Sequence, residues 1–348
     1  MTAPAGHVLL ARLDSDGDVL LAGPALRAVA ARARRVTLLV GPRGRQAAEL
    51  LPGADAILVH RAPWIDPEPD PVDPAAELGL VARLADLRPD AAIVLTSFHQ
   101  SPLPLALLLR LAGVPWIGAT SADYPGSLLD LRHRIDDDVH EVERSLDLVA
   151  SAGFPLPPGD DGALRVRRTP AARPPGLPAG YVAVHPGASV PARAWAPDRC
   201  AALVDALHAR GRAVVVTGGP GEADLTARVA GPSRRGVLDL GGRTSFAALA
   251  EVIAGADAVV VGNTGPAHLA AALGRPVAWL HAPTVPEVRW HPWQVPYLRL
   301  ARAVPCAGCR ARACPVPGHP CLDPVLPEEV LEAVDRLAPA AAPAEAVA

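Results

Sequence analysis

Half of the 348 residues are hydrophobic and one-fifth are charged, with 33 basic against 36 acidic side chains and a formal net charge of −3. This composition supplies cores for about two domains and excludes wholesale disorder, and without a positive excess it argues against general binding to nucleic acid. All the basic residues are Arg and none is Lys, a bias that points to codon pressure in a GC-rich genome.

Short apolar runs alternate with helix-length amphipathic segments, the pattern of parallel α/β layers. In the first half, strands are expected at His7 to Leu13, Val36 to Val40, Ala56 to Val59, Ala91 to Thr96 and Pro115 to Gly118. Helices are expected at Val19 to Ala33, Pro104 to Ala112 and His140 to Ala152, with a Pro- and Asp-rich surface loop from Ala62 to Pro74. The apolar run from Leu103 to Leu109 stops at Arg110, well short of the roughly 20 residues of a membrane helix. The start carries no basic region followed by an apolar run, so a cytoplasmic protein without a transmembrane segment is expected.

From Phe154 to Gly180 the periodicity lapses among many Pro and Gly residues, then restarts. Strands are expected at Tyr181 to His185, Ala213 to Thr217, Val237 to Leu240, Ala258 to Val261 and Val277 to Leu280. The organisation read from this is an N-terminal domain over 1–155, a linker over 156–180, a C-terminal domain over 181–337 and a disordered tail over 338–348.

Four segments carry candidate chemistry, each at a strand end where ligands bind in open α/β sheets. In Arg12-Leu-Asp14-Ser15-Asp16-Gly17-Asp18, Gly17 permits a tight turn and Asp18 is either a helix cap or a reactive carboxylate. Counting Asp14 as the first ligand of a calcium loop places Ala25 where a bidentate Glu is required, which rejects that reading. His185-Pro-Gly187 followed by Arg193-Ala-Trp195 suits the approach of an anionic ligand, or leaves Arg193 as a surface charge. Gly218-Gly-Pro-Gly-Glu222 places a carboxylate where it can accept from ribose hydroxyls or complement a helix dipole. In Gly262-Asn263-Thr264-Gly265-Pro266-Ala267-His268, running on to Gly274, Asn263 or Thr264 caps a helix whose free N–H groups can receive a pyrophosphate.

Together these segments resemble the heptosyltransferases of glycosyltransferase family 9, over nearly the whole chain. The resemblance implies an α/β protein of GT-B architecture, two Rossmann-like domains facing a cleft, with the acceptor held by the N-terminal domain and the donor by the C-terminal one. It implies an inverting, metal-independent transfer of a sugar, a heptose from ADP-heptose, to an acceptor hydroxyl. Carried over by position, Asp18 is the catalytic base, with Ser15, Asp16 and Gly17 in the acceptor-side loop. Arg193, Glu222, Asn263, Thr264, Gly265, Pro266 and His268 bind the donor. Asn263 stands where the family commonly has Asp, and Arg193 where it usually has Lys. The Lys-free composition suggests a carbohydrate-bearing or hydroxylated acceptor other than lipopolysaccharide, a cell-surface glycan or a specialised metabolite. Two other readings share the fold: a nucleotide-sugar epimerase or hydrolase that needs no acceptor, and a catalytically silent nucleotide-sugar-binding subunit.

Apart from these segments, Cys306, Cys309, Cys314 and Cys321 lie within sixteen residues, with His319 nearby. Four thiolates suffice for a tetrahedral structural zinc, although the four- and six-residue gaps are unusual; reduced thiols and disulfides are the alternatives. Trp290-His-Pro-Trp293 either stacks on a sugar or anchors a loop.

Overall fold

The computed structural model describes residues 2–339; the expected disordered tail lies outside the described residues from 340 onward. Contacts divide the chain into two units, Met1–Arg167 and Arg168–Ala348.

Unit 1 is built on a six-stranded parallel sheet. Its strands are β1 (His7–Arg12), β2 (Arg35–Val40), β3 (Ala56–Val59), β4 (Ala91–Val94), β5 (Ile117–Thr120) and β6 (Leu131–His133), in the order β3-β2-β1-β4-β5-β6. β1 is buried along its full length, as expected of a central parallel strand covered on both faces. Leu9, Leu39, Val94, Leu105 and Ile117 share one of its cores; burying each such side chain contributes about 1.5–3 kcal/mol. The helices are α1 (Asp16–Leu21), α2 (Gly23–Ala30), α3 (Arg45–Leu50), α4 (Pro74–Leu87), α5 (Leu103–Leu111) and α6 (Glu141–Ser151). Where the sequence pattern predicts one helix over Val19 to Ala33, there are two, divided at Ala22. Pro24 is the cause: it lacks the N–H that would bond back by four residues, and its ring crowds that carbonyl.

Unit 2 repeats the plan with β7 (Val182–His185), β8 (Val214–Val216), β9 (Val237–Asp239), β10 (Ala258–Gly262), β11 (Val277–Leu280) and β12 (Tyr297–Leu300), all parallel, in the order β12-β11-β10-β7-β8-β9. Its helices are α7 (Pro197–Ala209), α8 (Ala223–Ala230), α9 (Phe246–Gly255), α10 (Gly265–Ala272), α11 (Glu287–Trp290) and α12 (Pro327–Leu337). α12 packs on α7 and on the strands β10 to β12. Leu203, Leu207, Val260, Leu322, Val330 and Val334 fill the core there. Both units are therefore Rossmann-like, and the fold class is α/β. The edge strands β6 and β12 escape sequence reading because each is short and carries an Arg, which breaks the apolar run.

The Pro- and Gly-rich stretch after α6 is tied down by side chains. Arg27 forks onto Asp160 at 2.7 and 2.8 Å, and Arg167 donates to the Glu49 carbonyl at 2.8 Å. In unit 2, Arg168 forks onto the buried Glu251 at 2.8 and 2.6 Å. These donors hold both the Asp160 and Glu251 carboxyls below their usual range. Among the described residues no helix is long and apolar enough to cross a membrane.

Candidate active site

Each sheet has a switch point, where successive strands are added to opposite sides of the first; the loops that follow the two strands diverge there and leave a crevice. In unit 1 the switch lies between β1 and β4, in unit 2 between β7 and β10.

At the first switch Arg12 ends β1 and is 1% exposed. Its guanidinium pairs with three carboxylates: Asp14 at 2.7 Å, Asp18 at 3.2 Å and Glu141, from the start of α6, at 3.3 Å. It also donates to Ser97 Oγ at 2.8 Å. Gln100 closes the ring, donating to Asp14 while its carbonyl accepts from Ser97 N–H at 3.0 Å. Burial pushes Asp14 up to about 6, in part against the pull of Arg12. Burial raises Glu141 too, again opposed by Arg12. For Arg12 itself, burial works against the charge but the three carboxylates outweigh it, so the proton is held more tightly than usual.

Asp18 belongs to the first turn of α1, whose N-cap is Ser15; the Ser15 hydroxyl donates to Asp18 Oδ2 at 2.9 Å. Asp18 is thus not the cap, and of the three carboxylates around Arg12 its side chain is the most exposed, at 22%. Gly17 is buried beneath this turn. Asp16 turns away from the crevice, accepting from Ala47 N–H at 2.9 Å, and burial pushes it up to about 6. Gln100 also lines a cavity of about 580 Å³ beyond β4 and β5, together with His99, Thr120, Ser121 and Arg134.

At the second switch, Arg193 lies on a single turn after β7 and donates from Nε to Thr284 Oγ1 at 3.2 Å. Its carbonyl approaches Gly262 so closely that a Cβ there would come within 2.9 Å, which brings Arg193 against the end of β10. Thr264 occupies the N-cap position of α10 but makes no side-chain cap bond, and Pro266 sits in the first turn. Both amide atoms of Asn263 and the Thr264 hydroxyl are buried without a hydrogen-bond partner. His268 is buried one turn on. Across β7, Glu222 accepts from Gly219 N–H at 2.7 Å and folds over Gly187, where a Cβ would overlap its carboxylate. His185 is 3.9 Å from Glu222, and burial holds it below its usual range despite that carboxylate. Burial, with Arg299 and Arg193, pushes His281 down to about 3, so this buried imidazole is neutral.

Arg193, Asn263, Thr264 and His268 thus gather on the β10 side of the second switch and Glu222 on the β8 side, while Ser15 and Asp18 meet at the first. Sequence reading misses Glu141, Ser97, Gln100 and Thr284, each brought in from a distant segment with no local motif.

The zinc expected at Cys306, Cys309, Cys314 and Cys321 is not supported. Among the described residues no group of three or more His, Cys, Asp or Glu side chains is arranged to hold a metal ion. The four thiols are free: Cys309 is exposed, Cys321 is buried, and Cys314 donates to the Val316 carbonyl. Burial and then the neighbouring cysteines push Cys321 up to about 11. The segment instead braces Arg193. Ala192 N–H donates to the Arg312 carbonyl at 2.9 Å, the His319 ring meets the Ala192 carbonyl at 3.1 Å, and Arg310 N–H donates to the Thr284 carbonyl at 3.0 Å. The His291 ring stacks with Trp293 and with Tyr297 of the edge strand β12, ring centroids 6.1 and 5.6 Å away, which packs the Trp-His-Pro-Trp loop onto the sheet edge.

Comparison with known proteins bears on this arrangement. Residues 80–319 match the model of glycosyltransferase family 9 (heptosyltransferase). The chain is 35% identical to lipopolysaccharide heptosyltransferase 3 of Escherichia coli over 121 residues, 34% of this chain and 35% of that protein; the match thus spans about a third of the relative's length. The family 9 glycosyltransferase of Veillonella parvula superposes with a TM-score of 0.77 at 16% identity, covering 97% of this chain and 98% of that one. An E. coli heptosyltransferase solved with ADP-2-deoxy-2-fluoro heptose gives a TM-score of 0.71 at 21% identity, covering 95% and 100%. The fold is that of the GT-B heptosyltransferases, and the chain belongs to glycosyltransferase family 9.

Proposed function

We propose that the protein is an inverting glycosyltransferase that moves a heptose from ADP-heptose to an acceptor hydroxyl on a cell-surface glycan or specialised metabolite. The observation that carries this reading is the start of α10, where buried, unpartnered polar side-chain atoms of Asn263 and Thr264 sit beside Arg193. Unpartnered buried polar groups cost about 1–3 kcal/mol each, and a diphosphate or sugar hydroxyl would relieve that cost. The E. coli relative's complex with an ADP-heptose analogue supports the choice of donor.

In this reading Asp18 takes the proton of the acceptor hydroxyl as its oxygen attacks the anomeric carbon. The bond from that carbon to the diphosphate breaks, its electron pair leaves with the diphosphate, and Arg193 with the unpartnered Asn263 and Thr264 side chains meets the growing charge. Ser15 and Arg12 orient Asp18 for this step. Glu222 accepts from the ribose hydroxyls and His268 lines the diphosphate site. The N-terminal unit receives the acceptor and the C-terminal unit the donor, in the cytoplasm.

Calorimetric binding of ADP, GDP, UDP and dTDP, then ADP-heptose, tests the reading. Selective binding of ADP, tightened by the heptose, is expected. Preference for another nucleotide would refute the donor, and ADP release from ADP-heptose without acceptor would favour an epimerase or hydrolase.

A further inference from the structure

The first switch point holds more charge than a single general base requires. One guanidinium, 1% exposed, faces three carboxylates, of which Glu141 is 1% exposed at its side chain, Asp14 9% and Asp18 22%. Arg12 offsets one carboxylate and Arg144, one turn on from Glu141, pulls on a second; the negative charge that remains is costly inside a protein unless a proton neutralises it. Water solvates charge best at the exposed member, so the proton belongs on the buried side.

We propose that Asp14 and Glu141 are positioning residues for Asp18, sharing a proton behind Arg12 so that the ionised carboxylate at the crevice is Asp18. This deepens the reading of Asp18 as the base and rests on it. The groups around Asp18 come from every neighbouring element: Arg12 from β1, Asp14 and Ser15 from the following turn, Ser97 and Gln100 from the loop after β4, and Glu141 with Arg144 one turn on from α6. Geometry gives each a part. Arg12 Nη2 bonds to Asp18, Ser97 and Glu141, so a shift of any one moves the others. Gln100 ties Asp14 to the wall of the 580 Å³ cavity. The directions in which burial moves Asp14 and Glu141 agree with a retained proton.

The test is a titration followed by NMR of protein carrying carboxyl-13C Asp and Glu, with D18N, D14N and E141Q used to assign the three resonances and thermal melting to establish folding. The shared proton places Asp18 below the pair: in the wild type its resonance is expected to titrate at least about one pH unit below the last of Asp14 and Glu141, and that last midpoint is expected to fall in D14N and in E141Q, where no second carboxyl is left to share the proton. An Asp18 that titrates last of the three, or a last midpoint of the pair unmoved in either folded variant, overturns the proposal, and one misfolded variant leaves the other to decide. Turnover of D18N with ADP-heptose and a panel of hydroxylated acceptors separates the two ideas. A D18N enzyme that keeps its rate sinks the base assignment whatever the titration shows, whereas unmoved titrations beside an inactive D18N sink the positioning role alone.

Discussion

The two units share one topology and place their polar groups at the same point of it, yet the two switch points are built in opposite ways. In unit 1 the crevice is crowded with charged groups bonded to one another, a buried cation ringed by carboxylates, a serine and a glutamine. In unit 2 the crevice presents neutral polar atoms without partners beside an arginine. A site that must hold a proton acceptor in one charge state needs its counter-charges built in. One that receives an anion is better left unsatisfied until the anion comes. The same β-sheet frame serves both because function resides in the loops beyond the strand ends.

The comparison breaks most sharply at Asp18, the residue proposed to take the acceptor's proton. Asp18→Asn is expected to lower turnover about 10²–10⁴-fold while leaving ADP binding at the wild-type level by calorimetry. If ADP binding falls with turnover, the first switch point is not confined to proton transfer.

Replacing a polar residue with an apolar one of similar size should have opposite effects on stability at the two points. Arg12→Met strands three carboxylates in the interior, and denaturant melts are expected to show a loss of about 3–5 kcal/mol. Asn263→Leu removes two buried atoms that have no partner, and should stabilise the free protein by about 1 kcal/mol while weakening ADP at least about tenfold. A destabilised Asn263→Leu would show that the second crevice is structural.

How much of this was legible in the sequence follows from the range of each interaction. The alternation of apolar runs and helical segments, and Asp18, Arg193 and the Asn263 to His268 segment as candidates, are local patterns within one strand, turn or helix. Glu141 is 129 residues from Arg12 and Ser97 is 85, and no periodicity connects them; only the order of the strands brings them together. The cysteine spacing suggested a metal because spacing alone cannot reveal burial or orientation; in the fold, the backbone around those cysteines serves to brace Ala192 and Thr284. Pro24 was visible, but its effect on a helix already begun at Asp16 depends on where that helix starts.

The smallest effect concerns Asp16, which neighbours the first switch point in sequence but turns its carboxylate toward α3. Its folded carboxyl titrates at about 6, above the ordinary 3.8, chiefly because burial disfavours the charge. A carboxyl raised in the folded state costs no stability below the unfolded value, where it is protonated in both states. Its cost grows as pH rises from about 4 to 6 and is complete above that. Asp16→Asn keeps an oxygen to accept from Ala47 and discards the charge, so it should stabilise the protein by about 1–2 kcal/mol at pH 7.5 and by nothing measurable at pH 3 in urea melts. Because Asp16 lies outside the ring around Arg12, the gain should come without any change in the Asp18 titration; a shift there would extend the charge cluster through α1 and erase the boundary between what holds the helix and what tunes the base.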